Sequence, residues 1–187
     1  MIEENAMAWG DESVRLLADK PMYLMAACIL PRPPKDAIAK IARLMPSNAK
    51  KIHWRDMGLK AQKQSLQILS EVPHATSIVV ATPLNSRKQE RARRKCLETL
   101  LPHLEQEGVS VLTLESRGSF ADKKDIDFLL YLRRSRVIET IDMGHAEGAA
   151  EDRLSIPDQI LGAYGEAIVA KAQPRAWAPY WSAIEKS

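Results

Sequence analysis

The sequence predicts a single α/β domain built around a mixed β-sheet. Two apolar segments come first, separated by the short polar stretch 18–20, and this pattern is typical of an antiparallel hairpin. The β-branched run 77–82 then predicts a strand buried on both faces. Helical and strand patterns alternate after it, and such helices pack on the faces of one central sheet. A chain of 187 residues is long enough for one domain with its own core.

The first half of the chain predicts the hairpin, two helices and the buried strand. The opening strand falls within 6–17, and the second, over 22–30, ends where prolines remove the donors that a sheet needs. Apolar residues at helical spacing predict helices over 35–45 and 60–69.

The second half alternates helices with strands. A long helix over 86–105 precedes a strand over 109–114, and a helix over 122–133 precedes a strand over 137–141. Glycine and acidic residues over 142–153 predict a mobile loop. A last helix over 157–171 leads into an aromatic tail over 174–187, with Trp177, Tyr180 and Trp181.

Composition narrows the classes of function. The chain has 27 Lys and Arg against 24 Asp and Glu, an excess that permits nucleic-acid binding without requiring it. No apolar run reaches the roughly 18 residues of a membrane helix, and the acidic N-terminus does not resemble a secretory signal. Cys28 and Cys96 lack disulfide-scaffold or zinc spacing. We therefore expect a cytoplasmic protein, and both a monomer and a homodimer remain open.

Three acidic motifs stand out, and each also has an ordinary structural explanation. Asp11 and Glu12 interrupt the first strand, where a polar turn is common and where neighbouring side chains point to opposite faces. Glu115 follows a predicted strand, and ligands gather at strand ends. Ser155 and Asp158 open the last helix, where Ser155 has the pattern of an N-cap. The functional alternative is that Asp158 binds a metal.

A basic stretch over 87–95 contains six positive residues in nine. At helical spacing, Arg87, Arg91, Arg94 and Lys95 share one broad face. Such a face is often simply solvated, and the alternative is contact with nucleic-acid phosphates. Dinucleotide-binding and P-loop motifs are absent from the sequence.

Taken in order, the motifs resemble a large bacterial and phage family. Residues 9–13, Trp-Gly-Asp-Glu-Ser, are similar to its opening Asp-Glu-Ser-Gly motif, although Val14 replaces the glycine. Residues 51–57, Lys-Ile-His-Trp-Arg-Asp-Met, are similar to a second motif in which an aromatic residue follows His. Residues 137–142 and 154–163 resemble a closing pattern in which a strand ending in Asp precedes Leu-Gln-x-Ala-Asp on a helix. The family is a domain of unknown function in the ribonuclease-H-like superfamily, which includes RuvC- and transposase-like proteins.

The resemblance implies a ribonuclease-H-like fold, with a mixed sheet that opens with the hairpin, and an acidic metal site. Its ligands would be Asp11, Glu115 and Asp158, which would bind one or two Mg²⁺ or Mn²⁺ ions through the oxygen donors that these ions take. Glu12 and Asp142 are implied as further ligands. His53 is implied as a base or a phosphate contact.

The implied function is a metal-dependent nuclease, or a related phosphoryl-transfer enzyme, that acts on DNA or RNA. Two other functions stay open at this point. One is a non-catalytic nucleic-acid-binding or regulatory module of the same fold. The other is an adaptor in phage defence or mobile-element biology. Convergence of the three carboxylates favours the enzyme, and divergence favours the binding module.

Overall fold

The computed structural model describes residues 6–17, 20–47, 49, 51–82, 89–170 and 182–186. The strands are β1 (Ala6–Leu17), β2 (Lys20–Ile29), β3 (Ala75–Ala81), β4 (Val109–Glu115), β5 (Asp142–Ala146) and β6 (Ser182–Lys186). The α-helices are α1 (Lys35–Ala42), α2 (Leu59–Ser70), α3 (Gln89–Gln106), α4 (Ser119–Arg134) and α5 (Ser155–Val169). Two 3₁₀ turns, Trp54–Asp56 and Asp152–Leu154, complete the described elements.

The described strands form one six-stranded mixed sheet in the order β5–β4–β1–β2–β3–β6. The hairpin prediction is confirmed, because β1 and β2 pair antiparallel, and β3 pairs antiparallel with β2. β4 runs parallel to β1, and β5 runs parallel to β4. The carboxyl ends of these three parallel strands therefore lie at the same edge of the sheet.

Helices cover both faces of the sheet, as the alternating pattern predicts. On one face, α3 and α4 bury residues such as Leu97 and Leu129. On the other face, α1, α2 and α5 bury residues such as Ile41 and Ile160. β3 is buried on both sides, as expected. Each such aliphatic side chain contributes about 1.5–3 kcal/mol by leaving water.

The strand predicted over 137–141 is wrong, and the fifth strand lies one segment later. The Glu105 carboxylate accepts hydrogen bonds from the backbone N–H groups of Glu139, Thr140 and Ile141 at 2.5–3.1 Å. These donors are therefore not available to a neighbouring strand. The segment predicted as a mobile loop, 142–153, instead contains β5 and the start of a 3₁₀ turn.

Other differences concern the ends of elements. α4 begins at Ser119, three residues before the predicted start, and β6 lies in the predicted aromatic tail and pairs with β3. Trp177, Tyr180 and Trp181 lie outside the described residues, as does Arg87. No helix in the described part of the chain is both long and apolar enough to cross a membrane.

Candidate functional site

Three acidic side chains meet at the carboxyl edge of the central strands. Gly10 of β1 pairs with Leu114 of β4, so Asp11 and Glu115 follow at the same level on adjacent strands. α5 packs against β1 and β2 and carries Asp158 in its first turn. All three line one cleft of about 320 Å³. The structure thus brings together the three residues that the family resemblance implies.

Asp11 lies in a strongly perturbed electrostatic environment. Its pKa is raised from 3.8 to about 8. The largest cause is burial, which disfavours the ionised carboxylate, and the negative charges of Asp158 and Glu115 act in the same direction. His53 and Lys51 oppose the shift through their positive charges. Near neutral pH, Asp11 therefore keeps its proton.

The segment 51–57 places two basic side chains against the other two carboxylates. Lys51 Nζ lies 2.6 Å from Glu115 Oε1, and His53 Nδ1 lies 2.7 Å from Asp158 Oδ1. The backbone N–H of Trp54 donates to Asp158 Oδ2 at 2.7 Å. The close contact with Asp158 raises the pKa of His53 above its usual value, although burial and the nearby basic groups act against it.

Trp54 fixes the segment 51–57 on α5. Its indole Nε1–H donates to Glu166 Oε1 at 2.6 Å, and its ring packs on Gly162. A Cβ at Gly162 would lie 2.2 Å from Trp54 Cγ, so only glycine leaves room for the ring. The Gln62 amide adds a hydrogen bond to the Trp54 carbonyl at 3.3 Å. The position of His53 therefore depends on tertiary packing as well as on local sequence.

The carboxylates are not arranged as a ready metal site. Within the described ranges, no group of three or more His, Cys, Asp or Glu side chains is placed to hold a metal ion. Glu115 and Asp158 are instead engaged by Lys51 and His53. The donor type still fits the implied ions, because Mg²⁺ binds carboxylate oxygens together with water and substrate phosphates.

Glu12 does not join the Asp11 side of the sheet. Successive side chains of a strand point to opposite faces, and the Glu12 carboxylate contacts the Tyr23 hydroxyl and the Arg93 guanidinium. Arg93 is buried and also lies 2.7 Å from Asp125. Glu12 thus belongs to an ion-pair network under α3 and α4, although it also lines the cleft, and its role as a further metal ligand stays a prediction.

Asp142 is also remote from the three carboxylates. It begins β5 and is level with Val111, whereas Ala146, at the other end of β5, is level with Glu115. Four residues of strand separate these levels, about 13 Å. The expectation that Asp142 ends a strand beside the site is wrong because β5 starts at this residue instead of finishing there.

The cap predicted at the start of α5 is also corrected. Ser155 is the first helical residue, and its hydroxyl donates to the Asp152 carbonyl at 2.6 Å. Asp158 has His53 and Trp54 as partners. Its carboxylate is therefore directed at the cleft by contacts from a distant segment.

The basic face of α3 lies on the other layer of the molecule. Arg91, Arg94 and Lys95 are exposed, and the Arg94 guanidinium lies 5.8 Å from the centre of the Phe128 ring. α3 covers the sheet face opposite to α5. The structure does not bring this face to the carboxylates, and its contact with phosphate stays a prediction.

Comparison with protein-family models and with curated proteins finds no match for this chain. The function is therefore argued from the geometry of the cleft. Sequence reasoning did not assign three of the basic residues at this site, Lys51, Arg15 and Arg55. Side chains alternate along β1, so Asp11, Ser13 and Arg15 lie on one face of the strand. This alternation could have predicted from the sequence that Arg15 lies on the same side of the sheet as Asp11.

Proposed function

We propose that this protein is a divalent-metal-dependent nuclease, or a related nucleic-acid phosphoryl-transfer enzyme, with a ribonuclease-H-like fold. The observation that carries the proposal is the meeting of Asp11, Glu115 and Asp158 in one cleft. They come from β1, β4 and α5, and are far apart in sequence. Three acidic groups repel one another, and the negative charges of Asp158 and Glu115 add to burial in raising the pKa of Asp11, as happens where carboxylates share a site.

The architecture supports the ribonuclease-H-like part of the proposal. The family resemblance implies a mixed sheet that opens with an antiparallel hairpin, and β1 and β2 form such a hairpin. β4 pairs in parallel with β1, and β5 pairs in parallel with β4. The carboxyl ends of β1 and β4 therefore lie side by side. Ligand sites of sheets with parallel strands commonly lie at such carboxyl ends.

Asp11, Glu115 and Asp158 are the residues that would hold Mg²⁺ or Mn²⁺. When bound, the ion supplies positive charge that polarises a phosphodiester group and lowers the pKa of water. Lys51 and His53 must release Glu115 and Asp158 for this to happen. The Lys51 ammonium group and the His53 imidazole then become available to the phosphates of the substrate.

His53 is better suited to donate a proton or contact a phosphate than to act as a base. Its contact with Asp158 raises its pKa, so the imidazolium form persists to higher pH than in a free histidine. A protonated imidazole beside the cleft can give a proton to a leaving oxygen. The cleft itself is lined by Arg15 and Arg55 as well as by the carboxylates, and these cations suit a polyanionic substrate.

The decisive experiment measures cleavage of single- and double-stranded DNA and RNA in Mn²⁺. Asp11→Asn, Glu115→Gln and Asp158→Asn should each lower the rate at least about 100-fold, as loss of a charge-stabilising group does in other active sites. Asp142→Asn is the matched control, since this exposed carboxylate lies at the start of β5. Its rate should equal that of the wild type.

Absence of cleavage on all four substrates, or equal losses in Asp142→Asn and Asp11→Asn, would overturn the nuclease proposal. Binding without cleavage would instead support the non-catalytic nucleic-acid-binding module. One observation favours that second function: Lys51 and His53 already compensate two of the three carboxylates, as they would in a site that never takes up metal.

A further inference from the structure

The geometry points to an anion-binding subsite at Arg15 that takes a phosphate group of the nucleic-acid substrate. This inference rests on the proposed function, because it names a substrate contact in the same cleft. Arg15 lines the cleft together with Asp11, His53 and Asp158. It follows Asp11 by four residues on β1 and so shares its face of the sheet, about 13 Å further along the strand.

Arg15 differs from the other partly buried arginines of the described residues in having no counter-charge. Its Nε is shielded from solvent and has no hydrogen-bond partner, and the described residues supply no ion pair for its guanidinium. By contrast, buried Arg93 pairs with Asp125 at 2.7 Å. Arg117 and Arg153 each have a carboxylate oxygen at 2.6 Å.

A buried donor such as the Arg15 Nε–H is costly without a partner, because buried polar groups need hydrogen bonds. The carboxylates of the cleft do not provide one. Glu115 is bound by Lys51, and Asp158 is bound by His53 and by the Trp54 backbone. Among the described residues the guanidinium of Arg15 therefore has no carboxylate partner, and its place in the cleft leaves it open to a ligand that enters from outside. A phosphate group fits, since the planar guanidinium can bind two of its oxygens at once.

α5 provides space for the Arg15 side chain. A Cβ at Gly165 would lie 2.6 Å from Arg15 Nε and 3.1 Å from its Cγ. The glycine therefore lets the guanidinium lie against the helix at the wall of the cleft. The arrangement resembles that of Gly162 under Trp54, one turn earlier on the same helix. The two glycines thus accommodate two different side chains of the site.

A nucleic-acid strand is the ligand that uses the whole cleft. The separation of Arg15 from Asp11 places them at different points of the cleft, so one phosphate would meet the carboxylates while another meets Arg15. Free inorganic phosphate can bind Arg15 through the same oxygen atoms, but it is too short to reach the carboxylates at the same time. The two sources are therefore distinguishable by comparing an oligonucleotide with phosphate alone.

The test measures binding of a fluorescent single-stranded oligonucleotide in EDTA, without metal and without cleavage. Arg15→Ala should weaken binding about tenfold or more, as loss of a charge-assisted hydrogen bond does. The slope of log affinity against log salt should fall by about 0.7, the value for one phosphate contact on a single strand. Arg134→Ala, which removes an exposed charge from α4 on the opposite layer, should leave both quantities unchanged.

Gly165→Ala gives a second, independent variant that retains the charge. The new methyl group should displace the guanidinium and weaken binding, while circular-dichroism melting shows that the fold persists. Alanine is a better helix former than glycine, which offsets part of the destabilisation that the close approach causes. Arg15→Lys should recover part of the affinity, because it restores the charge but not the paired donors.

Unchanged affinity and salt slope in Arg15→Ala would overturn the subsite. So would a result in which Arg15 is needed for stabilisation by inorganic phosphate but not for oligonucleotide binding. The nuclease proposal fails separately, on the cleavage experiment. If Arg15→Ala weakens binding but no cleavage is found, the subsite is supported and the nuclease proposal is contradicted. If cleavage depends on Asp11 but Arg15→Ala binds normally, only the subsite is contradicted.

Discussion

Asp11 is half-buried near two other carboxylates, and its pKa is raised to about 8. In the unfolded chain the same group titrates near pH 4, roughly the value of a free aspartate. Between about pH 4 and pH 8 the folded state therefore binds more protons than the unfolded state. Under this condition the free energy of unfolding falls as the pH rises. His53, whose pKa is also raised, adds to the same trend above about pH 6.5.

We expect Asp11→Asn to be less sensitive to pH than the wild type. At pH 8 the variant should be more stable by about 1–3 kcal/mol, because it no longer buries an ionising carboxylate, and a pKa difference of one corresponds to about 1.4 kcal/mol. At pH 5 the advantage should disappear. Urea unfolding at the two pH values checks this, with Asp142→Asn as the control that keeps the wild-type slope. Parallel pH profiles for Asp11→Asn and the wild type would contradict the prediction.

Lys51 leads to a prediction about metal affinity, since its ammonium group lies 2.6 Å from a Glu115 oxygen. A divalent ion that binds Glu115 must displace this contact. Lys51→Met should therefore bind Mn²⁺ about tenfold more tightly, and Mn²⁺ should raise its melting temperature further than that of the wild type. Lys40→Met, on the exposed face of α1, serves as the control. Equal metal-induced shifts in wild type and Lys51→Met would show that Lys51 does not compete.

At the residue scale, the sequence points to the acids of the site better than to its cations. Asp11, Glu115 and Asp158 lie in short motifs at predicted strand and helix ends, where a functional side chain is expected. Arg15 has no such motif, and Lys51 lies in one without an assigned role, because the roles of both follow from where β4 and α5 lie in space. Strand alternation alone predicts that the Glu12 side chain lies on the face opposite to Asp11. It does not predict that Arg93 is the ion-pair partner of Glu12.

The segment 51–57 and α5 act together as elements, and Gly162 is the point where they meet. A methyl group there would overlap the Trp54 ring. We expect Gly162→Ala to destabilise the fold by about 2 kcal/mol, the range of core overpacking, although alanine favours the helix itself. Displacing Trp54 also moves His53 away from Asp158, so cleavage should fall.

Gly58→Ala is the matched control for that experiment. Gly58 precedes α2 and has an ordinary extended backbone conformation, and a Cβ at this position would have no other atom within 4 Å. Thermal melting and the cleavage assay should both match the wild type. If Gly162→Ala behaves like Gly58→Ala in both assays, the packing of Trp54 does not position the site.

Among the elements, the sequence predicts best where apolar periodicity is strong and worst around 137–146. Ile138 and Ile141 are buried, as a strand pattern suggests, but Glu105 takes the backbone donors of that stretch. β5 has the sequence Asp-Met-Gly-His-Ala, which has few residues that favour strands. It forms because it pairs in parallel with β4. Such pairing between distant segments produces no pattern in the local sequence from which the strand could be predicted.

At the scale of the whole molecule, the two layers of helices separate the cleft from the basic face of α3. α5 and the segment 51–57 cover one face of the sheet, and α3 and α4 cover the other. A nucleic acid that contacts both must therefore pass around the edge of the sheet. A strand bound only in the cleft would leave α3 untouched. The two cases predict different responses to changes on α3.

Arg91, Arg94 and Lys95 are exposed together on α3. If this face binds duplex phosphates, changing all three to Ala should weaken duplex binding. The log–log salt slope should then fall by about 0.9 for each phosphate that the variant no longer neutralises. Binding of a short single strand should change little, since Arg15 and the cleft remain intact. Anisotropy titrations of both ligands over a range of salt concentrations measure these effects. An unchanged duplex slope would mean that the charges on α3 are only solvated, and that the acidic cleft and Arg15 account for nucleic-acid binding by themselves.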